Sequence, residues 1–145
     1  MRTTRRKRTQ AGVTLIEMLV VVTIIALFAA LVLPRMMGQA DKAKRTAART
    51  QINQYLTALG TYKLDTGVYP TTEQGLAALR AKPESVNNWQ GPYTQKELEP
   101  DPWGHPYIYK FPGEHGDDPD IISYGADGAP GGEGINADIV SWNNK

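Results

Sequence analysis

Cysteine is absent from the 145 residues, so no disulfide can brace the chain, even in an oxidising compartment. Histidine is nearly absent as well. His105 and His115 stand alone, without a partner at metal-site or triad spacing, and both are expected at the surface. No Ser, Cys or Lys occupies a recognisable nucleophile setting, so nothing in the sequence points to an enzyme. Positive charge is scarce once the first eight residues are set aside. From residue 13 onward eleven Lys and Arg face fifteen Asp and Glu, a net charge of −4. That balance gives no reason to expect nucleic-acid binding.

What the chain does have is one long apolar run. Between Gly12 and Pro34 lie 21 residues, Val13 to Leu33, of which only Glu17 is ionisable. At about 1.5 Å per residue a helix of this length covers roughly 30 Å, the thickness of a bilayer core. Arg2, Arg5, Arg6, Lys7 and Arg8 precede it. Basic residues beside a first span hold that end in the cytoplasm, which places the bulk of the chain outside. An ordinary secretory signal ends its apolar core with a small-residue cleavage site. Here the small residue, Gly12, precedes the core. Cleavage after it would leave the membrane helix on the mature chain, whereas an uncleaved signal anchor would make Gly12 incidental. Glu17 favours cleavage. A carboxylate in an apolar helix costs a few kcal/mol to bury unless it finds a partner. A free α-amino group at Val13 of a neighbouring copy is such a partner.

Gly-Val-Thr-Leu-Ile-Glu before an apolar run resembles the class III signal of type IV pilins and type II secretion pseudopilins. The resemblance implies that a prepilin peptidase cuts after Gly12 and methylates Val13, and that Glu17 orders subunits in a filament. The first mature residue of that family is usually Phe; here it is Val. Pro34 closes the run, and proline kinks or ends a helix. It reads as a helix boundary at the membrane surface or, by the resemblance, as the place where a stem helix unwinds when subunits pack.

A second helical pattern follows from Ala40 to Leu64. Ala47, Ala48, Ile52, Tyr55, Leu56, Leu59 and Tyr62 recur at three- and four-residue spacing as one apolar stripe. Asp41, Lys42, Lys44, Arg45 and Arg49 lie mainly off it, solvated or facing neighbours in an assembly. Thr66-Gly67 ends the helix with a C-cap glycine. Together the two patterns predict a stem of roughly fifty residues. Most of the glycine and proline comes after it, as expected for a loop-rich region. Val68 to Leu79 reads as a turn and a short helix capped by Thr71 or Thr72, with Leu76 and Leu79 packing inward. Asn88 to Tyr93 and Asp101 to Tyr107 are aromatic, proline-rich loops, better suited to packing than to a ligand groove because no charge cluster accompanies the rings. Tyr107 to Phe111, Ile121 to Tyr124 and Ile139 to Trp142 are candidate strands, predicting a small antiparallel sheet against the stem's apolar stripe.

YPTTEQGL (residues 69–76), WQGPY (89–93) and DPWGHPY (101–107) resemble the major-pseudopilin family of type II secretion, and the likeness then runs nearly the whole chain. The absence of a C-terminal disulfide fits that branch rather than type IV pilins. The last informative stretch is Tyr124 to Asp138, rich in glycine, with Asp127, Glu133 and Asp138 offering hard oxygen ligands. It is not an EF-hand, because neither the acidic spacing nor a closing Glu matches. It is not a phosphate loop, because no Lys-Ser or Lys-Thr follows the glycines. The residues alone leave a calcium loop and a plain acidic loop equally open. The resemblance implies one structural Ca2+ held by Asp127 and Asp138, with carbonyls of Tyr124 and of residues near Asn136, and Glu133 left as a solvated charge. Asp117, Asp118 and Asp120 read as a solvated acidic turn.

These readings combine into an α+β, pilin-like fold. Residues 1–12 form a cleaved basic leader, 13–34 the transmembrane and assembly half of the stem, 35–66 its periplasmic half, and 67–145 a globular region ending in the small sheet. The resemblance implies a single-pass inner-membrane protein with a periplasmic C-terminal domain. It would polymerise into the pseudopilus that drives export of folded proteins. Its implied partners are further copies of itself, minor pseudopilins, an inner-membrane assembly platform with its ATPase, the prepilin peptidase and membrane lipid, and no nucleic acid. A minor pseudopilin or type IV pilin is the nearest rival, and a signal-anchored periplasmic binding domain is a rival of another class.

Overall fold

The computed structural model describes residues 13–143, and of residues 33–37 the backbone alone. The chain falls into two compact units, one ending at Gln39 and the other beginning at Ala40. A single helix, α1 (Leu15–Thr66), belongs to both. Its start is set by Thr14, whose Oγ1 accepts the Glu17 N–H at 3.3 Å. Thr-x-x-Glu is the capping-box sequence, and it places the Glu17 carboxylate in the first turn, where the helix dipole favours it. Over Leu15–Val32 the large apolar residues of α1 are exposed on every side: Leu15 is 86% and Leu27 64% accessible. The hydroxyl of Thr23 donates to the Leu19 carbonyl at 2.7 Å, so a polar group within the apolar run is satisfied by the helix itself. The helix runs through Pro34 rather than ending there.

In the second unit α1 has one buried face. Ala48, Ile52, Tyr55, Leu59 and Tyr62 are buried at alternating steps of four and three, the spacing that keeps residues on one helical face. Ala47, expected in that stripe, is exposed, because it lies about 100° around the helix from Ala48. Ala58 is buried in addition. The helix stops at Gly67, whose φ of 85° few other residues adopt readily. The Gly67 N–H closes on the Lys63 carbonyl at 2.8 Å.

Three short strands cover the buried face of α1: β1 (Ile108–Lys110), β2 (Asp120–Ser123) and β3 (Ile139–Val140). They form one antiparallel sheet in the order β1-β2-β3, with Tyr109 opposite Ile121 and Ser123 opposite Ile139. Each strand sends one side chain into the core, Tyr109, Ile121 and Ile139. Before the sheet, Thr71 and Gln74 form a reciprocal pair. The Gln74 N–H donates to Thr71 Oγ1 at 3.3 Å, and the Thr71 N–H donates to Gln74 Oε1 at 2.9 Å. The 3-10 turn Leu76–Leu79 that follows buries Ala78 and Leu79.

The aromatic loops pack as well. Tyr107 meets Tyr55 edge-on at 5.5 Å, and Tyr93 meets Tyr62 at 5.4 Å and Trp89 at 5.7 Å. Gly91 is required in WQGPY because a Cβ there would overlap the Trp89 ring.

Candidate functional site

Two places carry the chemistry expected from the sequence. At the start of α1, Gly12 lies outside the described residues, Val13 is exposed, and Glu17 is exposed in the first helical turn. The side chain of Pro34 also lies outside the described residues.

The second place is the loop from Tyr124 to Asp138, which folds back on itself. The Ala126 N–H donates to the Ile135 carbonyl at 3.2 Å, bringing the chain just before Asp127 against the chain just before Asn136. Gly125, with φ of 69°, sits at this closure, and a Cβ on it would lie 2.9 Å from the Ile135 oxygen. Asp127 Oδ1 accepts the Ala129 N–H at 3.2 Å, and Asp138 Oδ2 accepts the Gly131 N–H at 3.0 Å. The other carboxylate oxygen of Asp138, Oδ1, is buried and has no hydrogen-bond partner among the described residues. A buried, unpartnered carboxylate oxygen is costly, and a bound cation is one of the few groups that would satisfy it.

The donor set fits calcium in kind: hard oxygens from Asp127 and Asp138, with backbone carbonyls of the same loop. Among the described residues no three acidic or histidine side chains converge on one point. An ion here would therefore take most of its roughly six to eight oxygens from the backbone. Tyr124 and Asn136 are half-buried in the loop, and Glu133 is exposed.

Several residues that support this loop were not expected from the sequence. Arg45, expected to be solvated or to face neighbouring copies, donates from Nη1 to the carbonyls of Gly134 at 3.0 Å and Ala137 at 2.7 Å. His105, read as a free surface residue, places Nδ1 3.1 Å from the Gly125 carbonyl oxygen. Asp101 is buried and accepts three bonds: the N–H groups of Trp103 (3.1 Å) and His105 (2.8 Å) on Oδ1, and the Ser123 hydroxyl (2.6 Å) on Oδ2. Ser123 Oγ in turn accepts the Gly125 N–H at 3.3 Å. The DPWGHPY segment thus anchors the entry to the glycine loop. Asp followed by Pro and Gly is a turn signal in which the carboxylate accepts nearby N–H groups, and it would have singled out Asp101. Burial, with the Asp101 carboxylate nearby, pushes the Tyr107 phenol far above its usual range.

The acidic turn also differs from expectation. Asp120 is buried, accepting the Glu114 N–H at 2.8 Å and lying 2.9 Å from His115 Nδ1. The His115 ring stacks on Trp142 at 3.6 Å. Asp118 accepts the Tyr69 hydroxyl at 2.9 Å. Asp117 and Asp118 are exposed, as expected of a solvated turn, and Asp120 alone is drawn into the fold.

The family model described as "Type II secretion system (T2SS), protein G" matches residues 35–142, and the "Prokaryotic N-terminal methylation motif" matches residues 7–33. The chain is similar to the type II secretion system core protein G of Pseudomonas aeruginosa, at 46% identity over 142 residues, covering 96% of this chain and 99% of that one. It is similar to the protein of the same description from Vibrio cholerae, also at 46% identity, covering 96% of each. Among solved structures it resembles the major pseudopilin from the type 2 secretion system of enterohaemorrhagic Escherichia coli. That match has a TM-score of 0.63 and 39% identity, over 73% of this chain and 88% of the other.

Proposed function

The chain belongs to the type II secretion system protein G family, and from that premise we propose how its two units divide the work of a filament subunit. It is a major pseudopilin, a structural protein carrying an N-terminal methylation motif and a membrane-anchoring apolar helix. Cleavage after Gly12 frees Val13 for methylation. The first half of α1 then serves twice, as the membrane anchor and as the surface through which copies associate, with Glu17 of one copy satisfied near Val13 of the next. Pro34 marks where the stem adjusts as copies pack. The assembled pseudopilus stands in the periplasm and drives folded proteins across the outer membrane. Minor pseudopilins and the membrane platform with its ATPase govern its growth, and the subunit itself has no catalytic role.

The observation that carries this reading is the all-round exposure of large apolar side chains over Leu15–Val32 of a helix whose second half is buried along one face. Such a surface has to be covered by lipid or by other copies. The test is the intact mass of the membrane-extracted protein from cells with an active prepilin peptidase. A chain beginning at methylated Val13 is expected. An intact basic head would favour a signal-anchored domain that never polymerises.

We also propose that one Ca2+ braces the 124–138 loop, held by the Asp127 and Asp138 carboxylates and by carbonyls at Tyr124 and near Asn136. Bound there, the ion ties down a loop that no disulfide can reach. The buried, unpartnered Oδ1 of Asp138 supports this reading. With calcium at 100 times its Kd, full-length protein in detergent should be about 2.7 kcal/mol more stable than with chelator, and should melt at a higher temperature. Asp127→Ala with Asp138→Ala should abolish the difference. A wild-type melting temperature indifferent to chelator would return the loop to a plain acidic turn.

A further inference from the structure

Besides His105 from the preceding loop, the stem itself reaches the glycine loop. Arg45 stands on α1, and its Nη1 donates to both Gly134 and Ala137, 89 and 92 residues away. These are charge-assisted bonds to backbone oxygens, stronger than neutral ones. They also sort the carbonyls of the loop. Gly134 and Ala137 turn their oxygens toward the stem. The oxygen of Asn136 lies instead beside Gly132, where a Cβ would come within 2.7 Å of it. Asp138 Oδ2 binds the adjacent Gly131 N–H. The Asn136 carbonyl and the Asp138 carboxylate therefore both face the Gly131–Gly132 segment, while the carbonyls of Gly134 and Ala137 are taken up by the stem.

We propose that Arg45 is a positioning residue for the calcium loop, drawing the Gly134 and Ala137 carbonyls to the stem so that the Asn136 carbonyl and the Asp138 carboxylate are left to the ion. This rests on the calcium reading above. It also makes the stem a party to ion binding: the loop takes up calcium in a shape that α1 imposes, and a bound ion in return favours the Arg45 contacts. Two effects of Arg45 oppose each other. Its positive charge repels a divalent cation, and its hydrogen bonds spare the ion the cost of ordering a glycine-rich segment. The guanidinium keeps its charge, but the two carbonyl oxygens it binds place their negative dipole ends between it and the loop interior. The ordering concerns a stretch with glycines at 131, 132 and 134, where backbone freedom is greatest. Ordering outweighs repulsion.

The test is calorimetric titration of the full-length protein in detergent with calcium chloride, for wild type, Arg45→Met and Arg45→Lys. Methionine keeps the length and removes the donors, whereas lysine keeps the charge and can reach one carbonyl. Arg45→Met is expected to raise the calcium Kd by about tenfold or more, as the loss of an outer partner does at metal sites. Arg45→Lys should fall between. Hydrogen exchange without calcium gives a second readout: the Ala126 amide, bonded to Ile135, should exchange faster in Arg45→Met while amides near Ile52 do not change. If wild type binds calcium and Arg45→Met binds equally well or more tightly, the positioning role is overturned and the calcium reading survives. If wild type takes up no calcium, the calcium reading itself falls and the proposal with it. Should Arg45→Met fail to fold, an unchanged Kd in Arg45→Lys, with an unchanged Ala126 amide, would overturn the proposal alone.

Discussion

The two halves of α1 share a helix and almost nothing else. Over Leu15–Val32 the apolar residues point in every direction and none is buried. From Ala48 to Tyr62 the apolar residues keep to one face, and Ile52 and Leu59 are 1% and 0% exposed. The second half finds its core within the chain, in Leu79, Tyr109, Ile121 and Ile139. The first half must find its surroundings elsewhere. Burying a Leu-sized side chain is worth about 1.5–3 kcal/mol wherever it happens. The difference is who supplies the cover: for one half the same polypeptide, for the other, on the function proposed above, the bilayer and neighbouring copies. Stability and assembly are therefore written on separate stretches of one helix, and substitutions should separate them.

The largest expected effect is at Glu17. Glu17→Ala removes the only ionisable group from the apolar run, which by hydropathy alone should favour insertion. On the assembly proposed above it also removes the partner for the Val13 amino group of a neighbouring copy. Filaments recovered by shearing and pelleting should be absent, while membrane insertion and the melting of the second unit, followed by Trp89, Trp103 and Trp142 fluorescence, should stay at wild-type values. Normal filaments would take assembly away from Glu17. A lowered melting temperature would mean that the halves are not separable.

A matched pair of leucines sharpens the contrast. Leu59→Ala empties a fully buried position and should destabilise the second unit by about 2–5 kcal/mol, read as a shift of the denaturant midpoint in full-length protein. Leu27→Ala makes the same chemical change at a position 64% exposed and should leave that midpoint unchanged. Its effect should appear only as fewer or shorter filaments. Equal shifts from the two substitutions would erase the division.

The division was legible in the sequence because it rests on local pattern. A continuous apolar run and a three-four stripe differ by inspection, and Thr66-Gly67 stops the helix where backbone chemistry requires. The three strands appear within one or two residues of their expected bounds. The one misplaced stripe residue, Ala47, shows the limit: alanine is small enough to suit either face, so its type says little. Support for the glycine loop was not legible for a different reason. Arg45 on the stem and His105 in the DPWGHPY segment reach carbonyls of residues that the sequence does not place near them. His115 and Asp120 meet around a turn that composition alone presents as solvated charge. Backbone carbonyls carry no sequence signature, so a partner that binds them is invisible until the chain is folded.

The smallest effect tests how self-contained the second half is. Tyr62 is fully buried on α1, its ring edge-on to Tyr93, and its hydroxyl has no hydrogen-bond partner among the described residues. Tyr109, facing the same core from β1, donates its hydroxyl to the Pro70 carbonyl at 2.8 Å. Leaving a polar group buried and unpaired is unfavourable, whereas a made hydrogen bond contributes about 1 kcal/mol. Tyr62→Phe should therefore be neutral or stabilising by up to about 1 kcal/mol, and Tyr109→Phe should cost about that much. Both changes keep the aromatic ring and its packing, so the denaturant midpoint isolates the hydroxyl. A loss at Tyr62 equal to that at Tyr109 would mean that the Tyr62 hydroxyl is satisfied from outside the chain. The second half of the helix would then depend on its surroundings as the first half does, and the line between them would be one of degree.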